Sequence, residues 1–202
     1  MTRVMMRARF LSAFGPLRSA AAALAVVTAG AGLTGCGYNN IQSLDEQTNQ
    51  AKGQIQTQLQ RRNDLIPNLV ATVKGVAKQE STVFGNIADA RAKMAGAIQS
   101  GNVDSMGAAN AQLTAGLGRL IAISENYPEL RSSESFKQLQ DQLEGTENRI
   151  AVARNDYNTS VGQYNSYIRR FPTNLTAKVF GYGTKPYFQA EAGAAQPPTV
   201  KF

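Results

Sequence analysis

Between Tyr38 and Phe171 apolar residues recur three and four positions apart. That spacing brings side chains to one face of an α-helix, and no alternating β-branched run competes with it. The first predicted helix covers residues 40–65, with its stripe at Ile41, Leu44, Thr48, Ala51, Ile55 and Leu59. A second is expected to start at Pro67, which suits a first turn because its missing N–H has no helical partner there. Its stripe is Val70, Val73, Ala77, Phe84, Ile87, Met94 and Ile98, and Gly101 closes it. Two steps on that stripe are charged, Glu80 and Arg91. A third helix follows the cap Asn102, with Met106, Asn110, Leu113, Leu117, Leu120, Ser124 and Tyr127 in phase, and stops before Pro128.

The fourth helix has the clearest pattern. After the cap Ser132, Phe136, Leu143, Ile150, Tyr157, Tyr164 and Phe171 recur every seven residues. The companion positions move from Leu139 and Ala153 to Val161 and Ile168. A straight helix drifts by about 20° per heptad, so this shift describes a long, nearly straight helix of about 60 Å. Four such stripes with short connections predict an all-α, antiparallel four-helix bundle. Leu175, Val179, Phe180, Tyr182, Tyr187 and Phe188 are too apolar for a free tail and are expected to pack back on it. Residues 191–202, with Pro197 and Pro198, are expected to be disordered.

The first 35 residues have a different grammar. Arg3, Arg7, Arg9 and Arg18 stand in an acid-free start, a small apolar run covers residues 20–32, and Leu33-Thr34-Gly35-Cys36 ends it. This is the order of a secretory signal peptide, and the run is too short and too rich in Ala and Gly for a bilayer span, which needs about 20 apolar residues. Leu-small-Gly-Cys resembles the lipobox of bacterial lipoproteins. It implies acylation of the Cys36 thiol, cleavage before it and attachment to a membrane through lipid. Gly37 in place of Asp favours the outer membrane where a cell has two. The expected organisation is a lipoprotein signal peptide over 1–35, a helical domain over 36–190, and the tail.

Charge and composition narrow the chemistry. Of 21 basic residues four precede Cys36, whereas none of the 14 acidic ones do, which leaves 17 against 14 in the body, a net +3. Arg61-Arg62 and Arg169-Arg170 are pairs and not a basic stripe, so no nucleic-acid partner is expected. There is one cysteine and no histidine. An intrachain disulfide is excluded, and so are the commonest general base and metal ligand. No phosphate loop or metal cluster is present, and no cofactor is expected. Asp45-Glu46, Glu125 with Glu129, Asp141 with Glu144, and Asp156 read as solvated helix faces. Glu80 and Arg91 are too far apart on one helix to pair with each other. With Asn110 they read as a buried polar core whose members need partners on other helices.

The segment from Gln60 to Val70, with Arg61, Arg62, Asn63, Asp64 and Pro67 at its centre, followed by Thr72-Val73-Lys74-Gly75, closely resembles the signature of the LemA family. Gly37-Tyr38-Asn39, Ala90-Arg91-Ala92, Glu125 to Leu130, Phe136 to Gln140, Glu144 to Arg154, and Tyr164 to Pro172 resemble it further. The chain departs at Lys52 and Val76, where the family often has an aromatic, and at Gln79, where it often has a histidine. The resemblance implies an extracytoplasmic helical bundle on a membrane anchor, without established catalysis. The signature itself reads as a helix-turn-helix corner, with Arg61 and Arg62 ending one helix and Asp64 preceding the next. A protein partner of the cell envelope would dock at that corner. The expected function is a non-enzymatic, membrane-anchored scaffold or adaptor. The alternatives are a small-ligand or lipid-binding module using the interhelical core, and an enzyme built on Glu80.

Overall fold

The computed structural model describes the backbone of residues 15–189 and the side chains of residues 37–189. Residues 1–14, the side chains of residues 15–36, including Cys36, and the tail from residue 190 lie outside this description. Six helices are present among them: α1 Gly15–Val76, α2 Ser81–Ser100, α3 Val103–Ser124, α4 Pro128–Ser132, α5 Glu134–Arg169 and α6 Thr173–Val179. The protein is all-α, with no strand among the described residues.

α1 does not end near Leu65. It continues through Pro67 to Val76, and the turn falls at residues 77–80. The stripe explains why. Leu59, Arg62, Ile66, Leu69, Val73 and Ala77 are all buried, in one unbroken phase of three and four. Breaking the helix at Pro67 would turn the second half of that stripe away from the core. The turn at residues 77–80 is closed by the Ala77 N–H donating to Val73 O at 2.8 Å and the Glu80 N–H to Ala77 O at 3.4 Å. Gly101 ends α2 with φ 64°, its N–H donating to Ile98 O at 3.2 Å. Asn102 caps α3 by accepting from the Ser105 N–H at 2.9 Å.

The described chain divides into two compact units. The larger runs from Leu44 to Asn165 and takes up the chain again at Thr184. Its core is continuous and holds Ile55, Leu59, Leu69, Met94, Met106, Leu113, Leu120, Phe136 and Ile150 among others. A fully buried side chain of this kind contributes about 1.5–3 kcal/mol. Neighbouring helices in this unit run antiparallel. Gln56 of α1 reaches Ile98 O of α2, whereas Asn63 further along α1 meets Arg91, further back on α2. Lys93 of α2 donates to Gln112 of α3, and Ile87 lies against Gly116, where an added Cβ would stand 3.2 Å from its Cγ1. Gly116 therefore serves close helix packing, and Gly118 does not, having nothing within 4 Å.

α5 buries Phe136, Leu143, Ile150, Tyr157 and Tyr164 as the heptad pattern predicts. The last step, Phe171, is 80% exposed because α5 ends at Arg169. The segment after Thr184 is extended and strapped along α5. Asn165 Nδ2 donates to Lys185 O and its Oδ1 accepts the Lys185 N–H, both at 2.9 Å. Asn158 does the same with Phe188, at 3.0 and 2.8 Å. Two turns of helix cover about 10.5 Å and three extended residues about 10 Å, so side-chain amides seven apart match backbone groups three apart. Phe188 is buried and Tyr187 is exposed, as alternation in an extended strap requires. Tyr157 adds a bond to Pro186 O at 3.0 Å. Burial, and then the charge of Asp104, raise its phenol above the ordinary value of 10.0.

The smaller unit joins α1 up to Ser43 with Ser166–Gly183. Gly37 lies against Thr173 of α6, and Asn40 Nδ2 donates to the Tyr167 hydroxyl at 3.1 Å. Gln42 Nε2 donates to the hydroxyls of Tyr38 and Tyr182, at 2.7 and 2.9 Å.

Candidate functional site

The polar residues singled out in the sequence gather in the larger unit, in a different grouping from the expected one. Arg62 is the centre. It lies on the buried stripe of α1 with 4% of its surface exposed. Its Nη1 donates to Asn110 Oδ1 of α3 at 2.8 Å and pairs with the Glu147 carboxylate of α5. Asn110 is 3% exposed, whereas the Glu147 side chain is 41% exposed. One guanidinium thus ties three helices together. Its planar fork suits this, because several N–H groups point in fixed directions.

Asn63 and Arg91 form the second half. Pro67 has no N–H, so the carbonyl of Asn63, four residues earlier, loses its helical partner. Arg91 of α2 supplies one: its Nε donates to Asn63 O at 3.3 Å. Arg91 is exposed overall and only its head reaches this carbonyl. The charged step on the α2 stripe thus offsets the proline within α1. Asn63 itself is buried, and its Oδ1 has no hydrogen-bond partner among the described residues.

The remaining residues stand apart. Glu80 is half-buried in the turn before α2, where its carbonyl accepts from the Val83 and Phe84 N–H groups and its side chain makes no cap. It is not brought to Arg62. Arg61 and Asp64 are exposed, and Asp64 Oδ1 accepts from Gln60 Nε2 one turn earlier at 2.7 Å. Pro67 is half-buried. The expected corner is therefore the middle of a helix, with Arg62 and Asn63 turned inward and Arg61 and Asp64 outward. Glu147 has no sequence signal that marks it as a site residue. It lies four residues after Leu143 and three before Ile150, on the flank of the α5 seam.

Among the described residues no group of three or more His, Cys, Asp or Glu could hold a metal ion. No helix among them is long and apolar enough to cross a membrane. An open groove of about 750 Å³ runs along α1 and α5, lined by Gln50, Gly53, Thr57, Asn148, Val152 and Asp156 among others. A smaller cleft of about 330 Å³ is lined by Lys52, Asp104, Tyr157 and Lys185 among others. Lys185 is held there by Asp45 at 2.8 Å, by Asn49 at 3.0 Å and by the Tyr164 ring at 5.2 Å.

The family model for LemA matches residues 51–202, which includes all of this polar centre and the strap. The chain belongs to the LemA family. Two similar proteins of Paramagnetospirillum magneticum are named magnetosome protein MamQ 2 and MamQ 1. Each is 29% identical over 183 residues, covering 79% of this chain and 67% of the relative. Magnetosome protein MamQ of Magnetospirillum gryphiswaldense is 28% identical over the same shares. The LemA signature read in the sequence is thus the segment of α1 that carries Arg62, Asn63 and Pro67, and its Ala-Arg-Ala motif carries the Arg91 that meets Asn63.

Proposed function

We propose that the protein is a non-enzymatic scaffold or adaptor of the bacterial envelope, an antiparallel four-helix bundle held extracytoplasmically by lipid on Cys36. The observation that carries this reading is the employment of the polar groups. Arg62 of α1 binds Asn110 of α3 and Glu147 of α5, and Arg91 serves a carbonyl that Pro67 leaves open. Side chains spent on holding helices together are not poised for acid–base or nucleophilic work. The exposed helical surfaces, with the open groove beside Val152, are then what the molecule offers to other proteins. The MamQ relatives are named for a structure of the cell and not for a reaction, which agrees with a component role.

Anchoring is tested by metabolic labelling with an alkyne fatty acid. The wild type takes up label and fractionates with membranes, whereas Cys36→Ala takes up none and keeps its leader. A labelled Cys36→Ala protein would overturn the lipid assignment. A small-ligand reading, placed in the interhelical core by the sequence, would here use a cleft such as the one lined by Lys52 and Lys185. Lys52→Ala leaves a scaffold unaffected but would abolish stabilisation by any ligand seated there.

A further inference from the structure

The smaller unit turns an apolar face outward. Phe171 is 80% exposed, Leu175 54%, Val179 77% and Phe180 52%. Leu175 and Val179 are one turn apart on α6, while Thr173, Thr176 and Ala177 on its other side are buried. Four large apolar side chains exposed to water between residues 171 and 180 mark an interaction surface. Its border is of one sign. Arg169, Arg170 and Lys178 are exposed, and no carboxylate occurs in residues 37–43 or 166–183. Two amphipathic aromatics adjoin it. The Tyr38 ring lies 4.8 Å from Phe180 and 6.2 Å from Tyr182, and both tyrosine hydroxyls are held by Gln42. Aromatic bodies with polar tips suit the boundary between hydrocarbon and water.

We infer that this face docks on an anionic phospholipid surface, with Phe171, Leu175, Val179 and Phe180 entering the headgroup layer and Arg169, Arg170 and Lys178 meeting lipid phosphates. The cation border, in segments that carry no carboxylate of their own, selects a lipid surface over an apolar protein groove. Position selects it again. Gly37 follows Cys36 directly in the chain, and an added Cβ on it would lie 3.5 Å from Thr173 of α6. Tyr38, two residues after Cys36, carries the ring that lies 4.8 Å from Phe180, so the face begins two residues from the proposed anchor. This second support rests on the anchor reading, whereas the first does not.

The chain has no tryptophan, so Phe171→Trp installs a sole reporter at an exposed position. The full-length protein carrying it is reconstituted into phosphatidylcholine vesicles with brominated acyl chains, with and without phosphatidylglycerol. Sedimentation reads attachment, and emission reads the face. The F171W emission moves to the blue and is quenched, more strongly with phosphatidylglycerol. V152W, exposed on α5, stays unshifted and unquenched. Each basic residue near an anionic surface changes partitioning by roughly five-fold, so losing three lowers the immersed population by on the order of a hundred-fold, and R169E/R170E/K178E in the F171W background lowers it by at least that much. Sedimentation with F171W quenched no more than V152W overturns the docking face and leaves the anchor standing. Quenching equal in both lipids and unmoved by charge reversal overturns it as well. Quenched F171W on a protein with no acyl label at Cys36 upholds the face and overturns the anchor alone.

Discussion

Replacing Arg62 by methionine removes the charge at the centre of the polar cluster while keeping most of the buried stem. Asn110 then loses a charge-assisted hydrogen bond made at 3% exposure, a loss of about 1.5–3 kcal/mol. The Glu147 side chain is 41% exposed and can turn to water, so its ion pair adds at most about 1 kcal/mol. The expected cost of Arg62→Met is about 2–4 kcal/mol. Asn110→Leu alone is comparably costly, because it takes a hydrogen-bond acceptor from a guanidinium that is 4% exposed. The double variant removes both partners and leaves an apolar contact between α1 and α3. Its cost falls below the sum of the singles by at least about 1.5 kcal/mol. Urea unfolding followed by helical circular dichroism gives the four free energies of the cycle. Additivity within about 0.5 kcal/mol would refute the shared buried interaction.

Pro67→Ala restores the N–H that Asn63 O lacks and should raise stability by about 1–3 kcal/mol. Arg91→Ala, destabilising in the wild type, should cost less in that background, as read from urea midpoints. Tyr157 has a raised phenol, so the folded state holds its proton more tightly than the unfolded chain. That contribution is full below about pH 10 and is lost as pH rises through the folded value. Tyr157→Phe should therefore melt about 0.5–1.5 kcal/mol weaker at neutral pH, having lost the Pro186 bond, and the gap to the wild type should narrow above pH 10. A gap that stays constant across that window would contradict the assignment.

The helical stripes were legible because burial follows a period that a sequence displays directly. Every step named on α3 from Met106 to Ser124 is buried, and so are the α5 heptad positions up to Tyr164. Two boundaries were not legible by the same means. Pro67 is a breaker by its own chemistry, and only its surroundings reverse that: the stripe keeps phase across it, and Arg91 from another helix takes the orphaned carbonyl. Phe171 satisfies the seven-residue repeat, but a repeat says nothing of where a helix stops, and α5 stops at Arg169. The short helix α4 was missed although Pro128 and Glu129 supply a favoured first turn. Beside Arg61 and just before Pro67, Arg62 resembles a cation complementing a helix end. Its place three residues after Leu59 and four before Ile66 was the signal that it points inward. Of the polar core, Asn110 was legible as a polar step on an apolar stripe, and Glu147 was not, because it sits on a flank that is half exposed. The return of the chain along α5 was expected from its apolar residues. The paired amides of Asn158 and Asn165 that hold it carry no hydrophobic signature.

The direct test of a scaffold is whether it touches something. A photo-crosslinking amino acid is placed in intact cells at Val152 in the α1–α5 groove and at exposed Asn68 on α1, with buried Ile55 as the control. Asn63, inside the core, is unsuited to the purpose. A scaffold gives discrete, reproducible adducts with an envelope protein from an exposed site and none from Ile55. A folded, membrane-bound protein that yields no adduct above background from either exposed site would contradict it.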